Sequence, residues 1–185
     1  MTVQDLFARL ASALHAADVP YMLTGSYASS VHGIPRATRD VDIIIFPTRE
    51  QLTRLVEQLP CTSYYVDLND ALDALRHRTQ FNVIDRATGW KVDFIIPPFS
   101  EFNIEEFERR RTVDVEGSSL FVASPEDIIV AKLQWAQAGS SERQLDDAAS
   151  VLRAQGPALD LPYVEGWVRK LGLEEQWRAV REKAP

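Results

Sequence analysis

Two aspartates spaced two residues apart, Asp40 and Asp42, stand at the start of a short apolar run that has the composition of a β-strand. Successive side chains of a strand point to opposite faces, so these two carboxylates share one face. Carboxylates this close repel each other, and a divalent metal ion is the best way to neutralise them. Upstream, Gly25 and Ser26 form a small-residue turn after another apolar run, and backbone N–H groups in such a turn suit a phosphate. A phosphate-binding turn beside a carboxylate pair is typical of phosphoryl or nucleotidyl transfer.

A third acid, Asp93, lies within the apolar run from Trp90 to Ile96. A carboxylate in an apolar strand costs at least about 1–3 kcal/mol unless it is paired or bound to a metal. Two-metal phosphoryl transfer uses three such acids, two that bridge both ions and a third for the ion that activates the attacking hydroxyl. Asp40, Asp42 and Asp93 supply that set if their strands are neighbours, and we expect them to converge within a few ångströms.

Lys132 has apolar residues three and four positions away on both sides, which predicts that its stem lies on the buried face of a helix. Because lysine is rarely buried without a partner, we expect its ammonium to meet an anion, either a phosphate or the aspartate cluster. Arg143 and Asp147 follow on the next predicted helix, four residues apart, which is the spacing of an ordinary helical ion pair.

The elements that must position these groups change character along the chain. Up to residue 123 helical and strand-like patterns alternate, and from Ser124 onward the pattern is almost wholly helical. We therefore predict an α/β (α+β) fold, with a mixed sheet flanked by helices at 1–123 and a helical bundle at 124–185. The predicted helices are 3–17, 26–31, 49–59, 68–75, 104–110, 125–137, 142–155, 161–171 and 173–183; the predicted strands are 21–24, 41–46, 61–66, 80–84, 90–96, 111–115 and 120–122. Thr48 and Gln51 are spaced as a capping box, and Ser124 and Ser141 are predicted N-caps.

Global properties narrow the setting. The 185 residues suffice for one domain with a real core, and the net charge of −7 argues against a general nucleic-acid coat protein. The single cysteine, Cys61, excludes an internal disulfide and favours a reducing compartment. The N-terminal segment is amphipathic and charged, unlike a signal peptide, and no apolar run approaches the roughly 20 residues of a membrane span. We expect a cytoplasmic protein with no membrane association.

The combination of Gly25-Ser26, Asp40-x-Asp42 and the later strand acid Asp93 resembles the nucleotidyltransferase superfamily related to DNA polymerase beta. A more detailed pattern is similar to the bacterial group that contains the AbiEii-type toxins. Its parts are Gly25-Ser26, His32-Gly33, Arg36, Thr38-Arg39-Asp40-Val41-Asp42, Ala131-Lys132-Leu133-Gln134-Trp135 and Ser141 to Asp147. The likeness covers roughly residues 20–155.

This resemblance implies a nucleotidyltransferase-type core that moves an NMP from an NTP to a hydroxyl acceptor with two Mg²⁺ ions. It implies that Asp40 and Asp42 bind magnesium, and that Asp93 completes the metal shell and helps to deprotonate the acceptor. The phosphate-binding residues that the resemblance implies are Gly25, Ser26, Arg36 and Arg39, and the two arginines would offset phosphate charge. Lys132 is added to this set because of its predicted position on a helix.

Several alternatives stay open from the sequence. The acceptor implied is an RNA end or a protein, with a toxin-like role and an antitoxin partner; the acidic chain would also suit a small aminoglycoside-like cation. A different class is a non-catalytic module that binds a nucleotide or partner without turnover. Each candidate residue also has a purely structural alternative. Asp40 and Asp42 could cap a strand at a solvated loop, Gly25-Ser26 could be an ordinary turn, and Asp93 could form an ion pair with Lys91. Arg36 and Arg39 could be solvated loop charges, and the Lys132 ammonium could reach solvent.

Overall fold

The computed structural model describes residues 2–139 and 141–184. Its helices are α1 (Val3–Ala16), α2 (Gly25–His32), α3 (Arg49–Glu57), α4 (Leu68–His77), α5 (Glu101–Glu108), α6 (Pro125–Gly139), α7 (Glu142–Gln155), α8 (Leu161–Leu171) and α9 (Glu174–Lys183), with a 3₁₀ turn at Gly156–Ala158. Its strands are β1 (Tyr21–Thr24), β2 (Asp40–Ile45), β3 (Tyr64–Tyr65), β4 (Gln80–Asp85), β5 (Lys91–Ile95), β6 (Arg111–Val115) and β7 (Ser118–Val122).

The strands form one seven-stranded mixed sheet in the order β3-β4-β5-β2-β1-β7-β6. The pairs β2/β5 and β1/β7 are parallel, and the other pairs are antiparallel. Antiparallel hairpins join β4 to β5 and β6 to β7. The strands β2 and β5 are separated along the chain by four other elements, and their parallel pairing brings the two acid-bearing segments together.

The chain divides into two compact units. The sheet unit contains the chain up to Thr24 and Thr38–Val122, and the helical unit contains Gly25–Ala37 and the chain from Ala123 onward. The sequence predicted a division at 123–124, whereas these units place residue 123 and the segment 25–37, which holds α2 and the loop after it, in the helical unit. The reason is packing, because α2 contacts α6 and α7.

The sheet unit has its core where helices cover the sheet. Helix α1 contacts β7 and α3, and α4 contacts β4 and α3. The alternation expected of a half-buried strand is clearest in β4, whose residues are exposed and buried in turn. Fully buried side chains of this unit include Phe7, Leu10, Met22, Ile45, Leu52 and Phe94.

The helical unit is built around α6, which contacts α2, α7, α8 and α9. Its helix begins as predicted, because Ser124 Oγ accepts a hydrogen bond from Asp127 N at 3.2 Å and Pro125 occupies the first helical position. The buried residues Ile129, Val130 and Leu133 supply its apolar faces.

Most predicted elements are confirmed, and three details are corrected. The run at 61–66 forms only the two-residue strand β3, because Pro60 O accepts from both Ser63 N and Tyr64 N and turns the chain. Helix α5 starts earlier than predicted, since Ser100 caps it through Asn103 N. Ser141 stands at the N-cap of α7 without a side-chain capping bond. The mixed sheet flanked by helices, with a mainly helical C-terminal part, confirms the predicted fold class.

Among the described residues, no helix is both long enough and apolar enough to cross a membrane.

Candidate functional site

A polar row crosses four adjacent strands of the sheet unit. Thr24 pairs with Asp42 in register between β1 and β2, Asp42 pairs with Asp93 between β2 and β5, and Asp93 pairs with Asn82 between β5 and β4. Residues opposite each other on neighbouring strands project from the same face of a sheet. Asp42 and Asp93 therefore lie on neighbouring strands, as the sequence analysis required, and their side chains project from the same face of the sheet.

Asp93 is the buried member of the row, and its surroundings are asymmetric. The residue is 7% exposed, and Lys91 Nζ donates to its Oδ2 at 2.8 Å. Its other oxygen, Oδ1, is buried and has no hydrogen-bond partner among the described residues. An unpartnered carboxylate oxygen in a buried position costs free energy, which makes Oδ1 a candidate ligand for a proton or cation.

Lys91 is the cation that the protein itself supplies to the acids. The hydrogen bond to Asp93 raises the pKa of the Lys91 ammonium, desolvation opposes this, and the charges of Asp93, Asp40 and Asp42 add to the rise. Lys91 is also the register partner of Asp40, so it projects from the face that carries the acids. The ion pair weighed as an alternative for Asp93 is present in the structure.

The donor chemistry of this face fits a divalent cation of the magnesium type, because hard carboxylate oxygens are its preferred protein ligands. The buried and unpartnered Oδ1 of Asp93 supports the same fit. However, the described part of the chain contains no group of three Asp, Glu, His or Cys side chains close enough to hold a metal ion. Lys91 takes one oxygen of Asp93, and the convergence of all three acids within a few ångströms stays a prediction. Metal binding by Asp40, Asp42 and Asp93 stays a prediction.

Asp40 is the exposed first residue of β2, and the exposed Arg39 directly precedes it. Thr38 Oγ1 accepts from Asp40 N at 3.2 Å, and Lys91 N donates to Arg39 O at 3.2 Å, so the backbone here is fixed. Both side chains face solvent. The structure leaves them available to a metal ion or phosphate and equally to water.

In the helical unit, Gly25 and Ser26 start α2. Gly25 has φ of +66°, a left-handed conformation that glycine adopts without steric cost, and it is the first residue of the helix. Ser29 Oγ donates to Gly25 O at 2.8 Å and Ser30 Oγ donates to Ser26 O at 3.1 Å, which holds the first turn in shape. The first N–H groups of any helix lack intrahelical acceptors, so this turn is chemically suited to an anion.

Arg36 and Lys132 converge on one carboxylate, that of Asp147. Arg36 donates from Nε to Asp147 Oδ1 at 2.7 Å and from Nη2 to Oδ2 at 2.9 Å, and Lys132 Nζ donates to Oδ2 at 2.8 Å. Arg36 Nη2 also donates to Ser26 Oγ at 2.6 Å. The structure therefore brings three predicted phosphate-binding residues together around an acid whose role the sequence did not reveal.

Asp147 belongs to the sequence pattern, but the sequence did not show what it contacts. The i,i+4 spacing suggested Arg143 as its partner, yet among the described residues its oxygens bond Arg36 and Lys132 instead. Burial acts to raise the pKa of the Asp147 carboxyl, but hydrogen bonds and charges from Arg36 and Lys132 outweigh it, and the pKa lies below its ordinary value. The sequence did hold an indication that Asp147 is buried, because it lies next to Ala148 and four residues before Val151, two apolar residues that are buried.

Lys132 is buried as predicted, with 4% of the residue exposed. The carboxylate that it meets is Asp147, and neither of the two anions expected from the sequence is needed to explain its burial. A role for Lys132 toward a phosphate stays a prediction.

Comparison with known proteins gives similarity at the level of structure. No protein-family model matches the sequence, and no curated protein is significantly similar to it. The solution structure of the antibiotic-resistance factor ANT(2'')-Ia has a TM-score of 0.60 at 14% identity, over 97% of this chain and 95% of that one. A nucleotidyltransferase-like protein from Paracoccidioides brasiliensis has a TM-score of 0.56 at 17% identity, over 96% and 91% of the two chains.

The lincosamide antibiotic adenylyltransferase LnuA, solved with lincomycin, has a TM-score of 0.54 at 15% identity, over 82% of this chain and 96% of that one. Identities this low carry information about the fold alone. The narrower resemblance to AbiEii-type toxins stays a prediction. The described chain has the fold of the nucleotidyltransferases.

Proposed function

We propose that this protein is a nucleotidyltransferase, which transfers a nucleoside monophosphate from an NTP to a hydroxyl acceptor. The observation that carries the proposal is the register pairing of Asp42 with Asp93 on neighbouring strands of a nucleotidyltransferase-type sheet. The unpartnered Oδ1 of Asp93 supports it further, because a buried carboxylate oxygen without a donor is poised to accept a proton or to bind a cation.

In this proposal Asp40, Asp42 and Asp93 would hold the metal ions. Bound Mg²⁺ would supply charge neutralisation for the triphosphate and would lower the pKa of the attacking hydroxyl. Asp93 Oδ1 accepts the proton of that hydroxyl. The acceptor oxygen then forms a bond to the α-phosphorus, and the bond from that phosphorus to pyrophosphate breaks.

The proposed phosphate ligands are the residues that the resemblance implies. Gly25 and Ser26 offer N–H groups and a hydroxyl to the β- and γ-phosphates, and Arg36 offsets their charge from beside Ser26. Arg39 is exposed and assists from the chain just before the paired acids. Lys132 and Arg36 both bond the carboxylate of Asp147, so the positive charge of Lys132 keeps this group of three side chains positive overall. An NTP donor agrees with the cytoplasmic location expected from the sequence.

For the acceptor, an RNA end or a protein follows from the AbiEii-like pattern, with a toxin-like role and an antitoxin partner. Three arginines of the sheet unit whose side chains could contact RNA are engaged in other contacts. Arg76 pairs with Asp73, Arg78 stacks over Phe99 at 4.0 Å, and Arg110 stacks over Phe107 at 4.1 Å. Cation–π contacts of this kind leave less of each guanidinium for a phosphate.

A small cationic acceptor is a second candidate, favoured by a cavity of about 340 Å³ in the sheet unit. Its lining includes Asp67, Asp70, Asp73 and Asn82. Asn82 is the register partner of Asp93, so the cavity adjoins the polar row. Acidic walls suit an amine-bearing substrate by charge. The neighbour ANT(2'')-Ia, solved with adenylyl-2''-tobramycin at a TM-score of 0.59, is consistent with such an acceptor.

The test is incubation of the protein with each radiolabelled NTP and Mg²⁺, separately with total RNA, a protein extract and an amine-bearing sugar antibiotic. Transfer of label to one acceptor, with release of pyrophosphate, identifies both base and acceptor. Label on RNA or protein favours the toxin-like reading, and label on the small molecule favours the acidic cavity. If calorimetry detects NTP binding but no acceptor is labelled and no pyrophosphate is released, the protein is a non-catalytic binding module.

A further inference from the structure

The helical unit contains a buried acid that holds two cations from different elements. Asp147 lies on α7, Lys132 lies on α6, and Arg36 lies in the loop after α2. The side chains of Asp147 and Lys132 are 6% and 5% exposed, whereas that of Arg36 is 27% exposed. The buried end of this arrangement is thus Lys132 and Asp147, and the accessible end is Arg36.

The two edges of the Arg36 guanidinium are used differently. One edge, made of Nε and one N–H of Nη2, forms a bidentate pair with Asp147. The second N–H of Nη2 donates to Ser26 Oγ at 2.6 Å. In a planar guanidinium the adjacent N–H of Nη1 is parallel to that bond. Nη1 has no hydrogen-bond partner among the described residues, so a donor is left beside the Ser26 hydroxyl.

The backbone that carries Arg36 is also fixed from α7. Ser150 Oγ accepts from Ile34 N at 2.7 Å, and Gln155 Nε2 donates to His32 O at 2.7 Å. Together with Asp147, helix α7 therefore holds both the loop and the side chain. A guanidinium anchored at the backbone and along one edge loses little further freedom when its other edge binds an anion.

We propose that Asp147 is a positioning residue for the triphosphate. It holds Arg36 so that the outer edge of the guanidinium stands beside Ser26 Oγ, and the two together present adjacent donors to one phosphate group. The inference rests on the proposed function, in which Ser26 and Arg36 bind the β- and γ-phosphates. Asp147 does not touch the phosphate itself and acts through Arg36.

The experiment is a double-mutant cycle on the full chain, with inorganic tripolyphosphate as the probe and calorimetry as the measurement. Asp147→Asn is expected to weaken tripolyphosphate binding about tenfold, because the amide cannot accept both Arg36 donors and the lysine. In an Arg36→Ala background, the same substitution is expected to change affinity less than about twofold, because its effect passes through Arg36. Equal weakening in both backgrounds would overturn the proposal.

Asp146→Asn is the matched control, since Asp146 is the adjacent acid on the same helix and pairs with Lys183 at 3.0 Å. It removes the same charge and is expected to leave the affinity unchanged. If Asp146→Asn weakens binding as much as Asp147→Asn, net charge explains the effect, and the positioning role is wrong.

Asp147→Asn also leaves Lys132 without its carboxylate, so it is expected to lower the melting temperature. Should that variant not fold, Arg36→Lys replaces it in the test, because Arg36 is partly exposed and the substitution keeps its charge. A lysine cannot bond Asp147 along one edge and a phosphate along the other, so a loss of about tenfold in affinity is expected. Wild-type affinity in Arg36→Lys would overturn the proposal, because orientation would then be irrelevant.

If the wild type binds tripolyphosphate and the effects of the Asp147 and Arg36 substitutions on affinity are additive, the role of Asp147 is wrong and the proposed function stands. A wild type that neither binds tripolyphosphate nor releases pyrophosphate from any NTP would overturn the proposed function and this inference with it.

Discussion

Asp42 and Asp93 are register partners on the parallel strands β2 and β5, so two carboxylates stand side by side on one face of the sheet. One of them is 7% exposed, and a lysine two residues away supplies its counter-charge at 2.8 Å. This relationship explains why an acid is tolerated in an otherwise apolar strand. It also defines how the site can respond to an added cation, because the lysine and a metal ion would compete for the same carboxylate.

Replacement of Lys91 by Met tests that competition. Without divalent cations we expect the variant to lose about 1–2 kcal/mol of unfolding free energy, because Asp93 keeps its charge and loses its donor. Added Mn²⁺ should raise the melting temperature of the variant more than that of the wild type, since no ammonium beside Asp93 then repels the ion. Thermal unfolding in EDTA and in Mn²⁺ measures both effects.

Lys170→Met is the control for this experiment, because Lys170 is an exposed lysine of the helical unit that lies over Trp167 at 4.6 Å. Its melting temperature is expected to respond to Mn²⁺ as the wild type does. An equal response of Lys91→Met and wild type would show that Lys91 and the metal do not share Asp93.

Substitution of Gly33 tests how closely the loop before Arg36 packs against α7. A Cβ at this position would lie 2.7 Å from Ser150 Oγ and 2.8 Å from Ser29 O, which is closer than van der Waals contact allows. We expect Gly33→Ala to lower the unfolding free energy by about 1–3 kcal/mol, because the backbone has to shift. Urea denaturation monitored by circular dichroism gives the value.

The matched control is Gly166→Ala in the middle of α8, where an added Cβ meets nothing within 4 Å. That variant should gain about 0.5–1 kcal/mol from improved helix propensity. Equal stability changes of the same sign in the two variants would contradict the close approach of the loop and α7.

Asp147 predicts a definite pH dependence. Its pKa in the folded protein lies below the ordinary 3.8, and a group with a lowered pKa adds stability that is present above its unfolded pKa and lost as pH falls through the folded value. We expect Asp147→Asn to cost about 3 kcal/mol or more near neutral pH, since it breaks a buried pair. That difference from wild type should stay constant down to about pH 5 and shrink below about pH 4. Chemical denaturation of both proteins across this range measures it, and a difference that grows on acidification would contradict the ion-pair assignment.

Local patterns in the sequence were sufficient for most of the fold. The capping box of Thr48 and Gln51 is present as predicted, and the alternation of apolar residues located six of the seven strands to within a few residues. The predicted strand at 61–66 failed because a turn at Pro60 consumes most of it, and composition alone does not distinguish a tight turn from an extended run.

The sequence predicted only those features of the site that depend on a single helix or strand. Strand periodicity places Asp40 and Asp42 on one face, but the pairing of Asp42 with Asp93 depends on a parallel contact between distant segments. The role of Asp147 depends on three elements that meet in the helical unit, so helix spacing suggested the wrong partner. The sequence indicated Lys91 only as an ion-pair partner of Asp93, and its position opposite Asp40 follows from the strand register.

Pyrophosphate release measures the central claim most directly. The wild type, with Mg²⁺, its cognate NTP and the acceptor, is expected to release pyrophosphate, and Asp42→Asn should lower the rate by at least about 100-fold. Asp114→Asn, an exposed acid on β6 of the same sheet, should retain the wild-type rate. Asp42→Asn should also keep its fold, with a melting temperature no lower than that of the wild type, because the substitution relieves repulsion between carboxylates. Full activity in a folded Asp42→Asn variant would contradict the assignment of the acids and the function proposed from them.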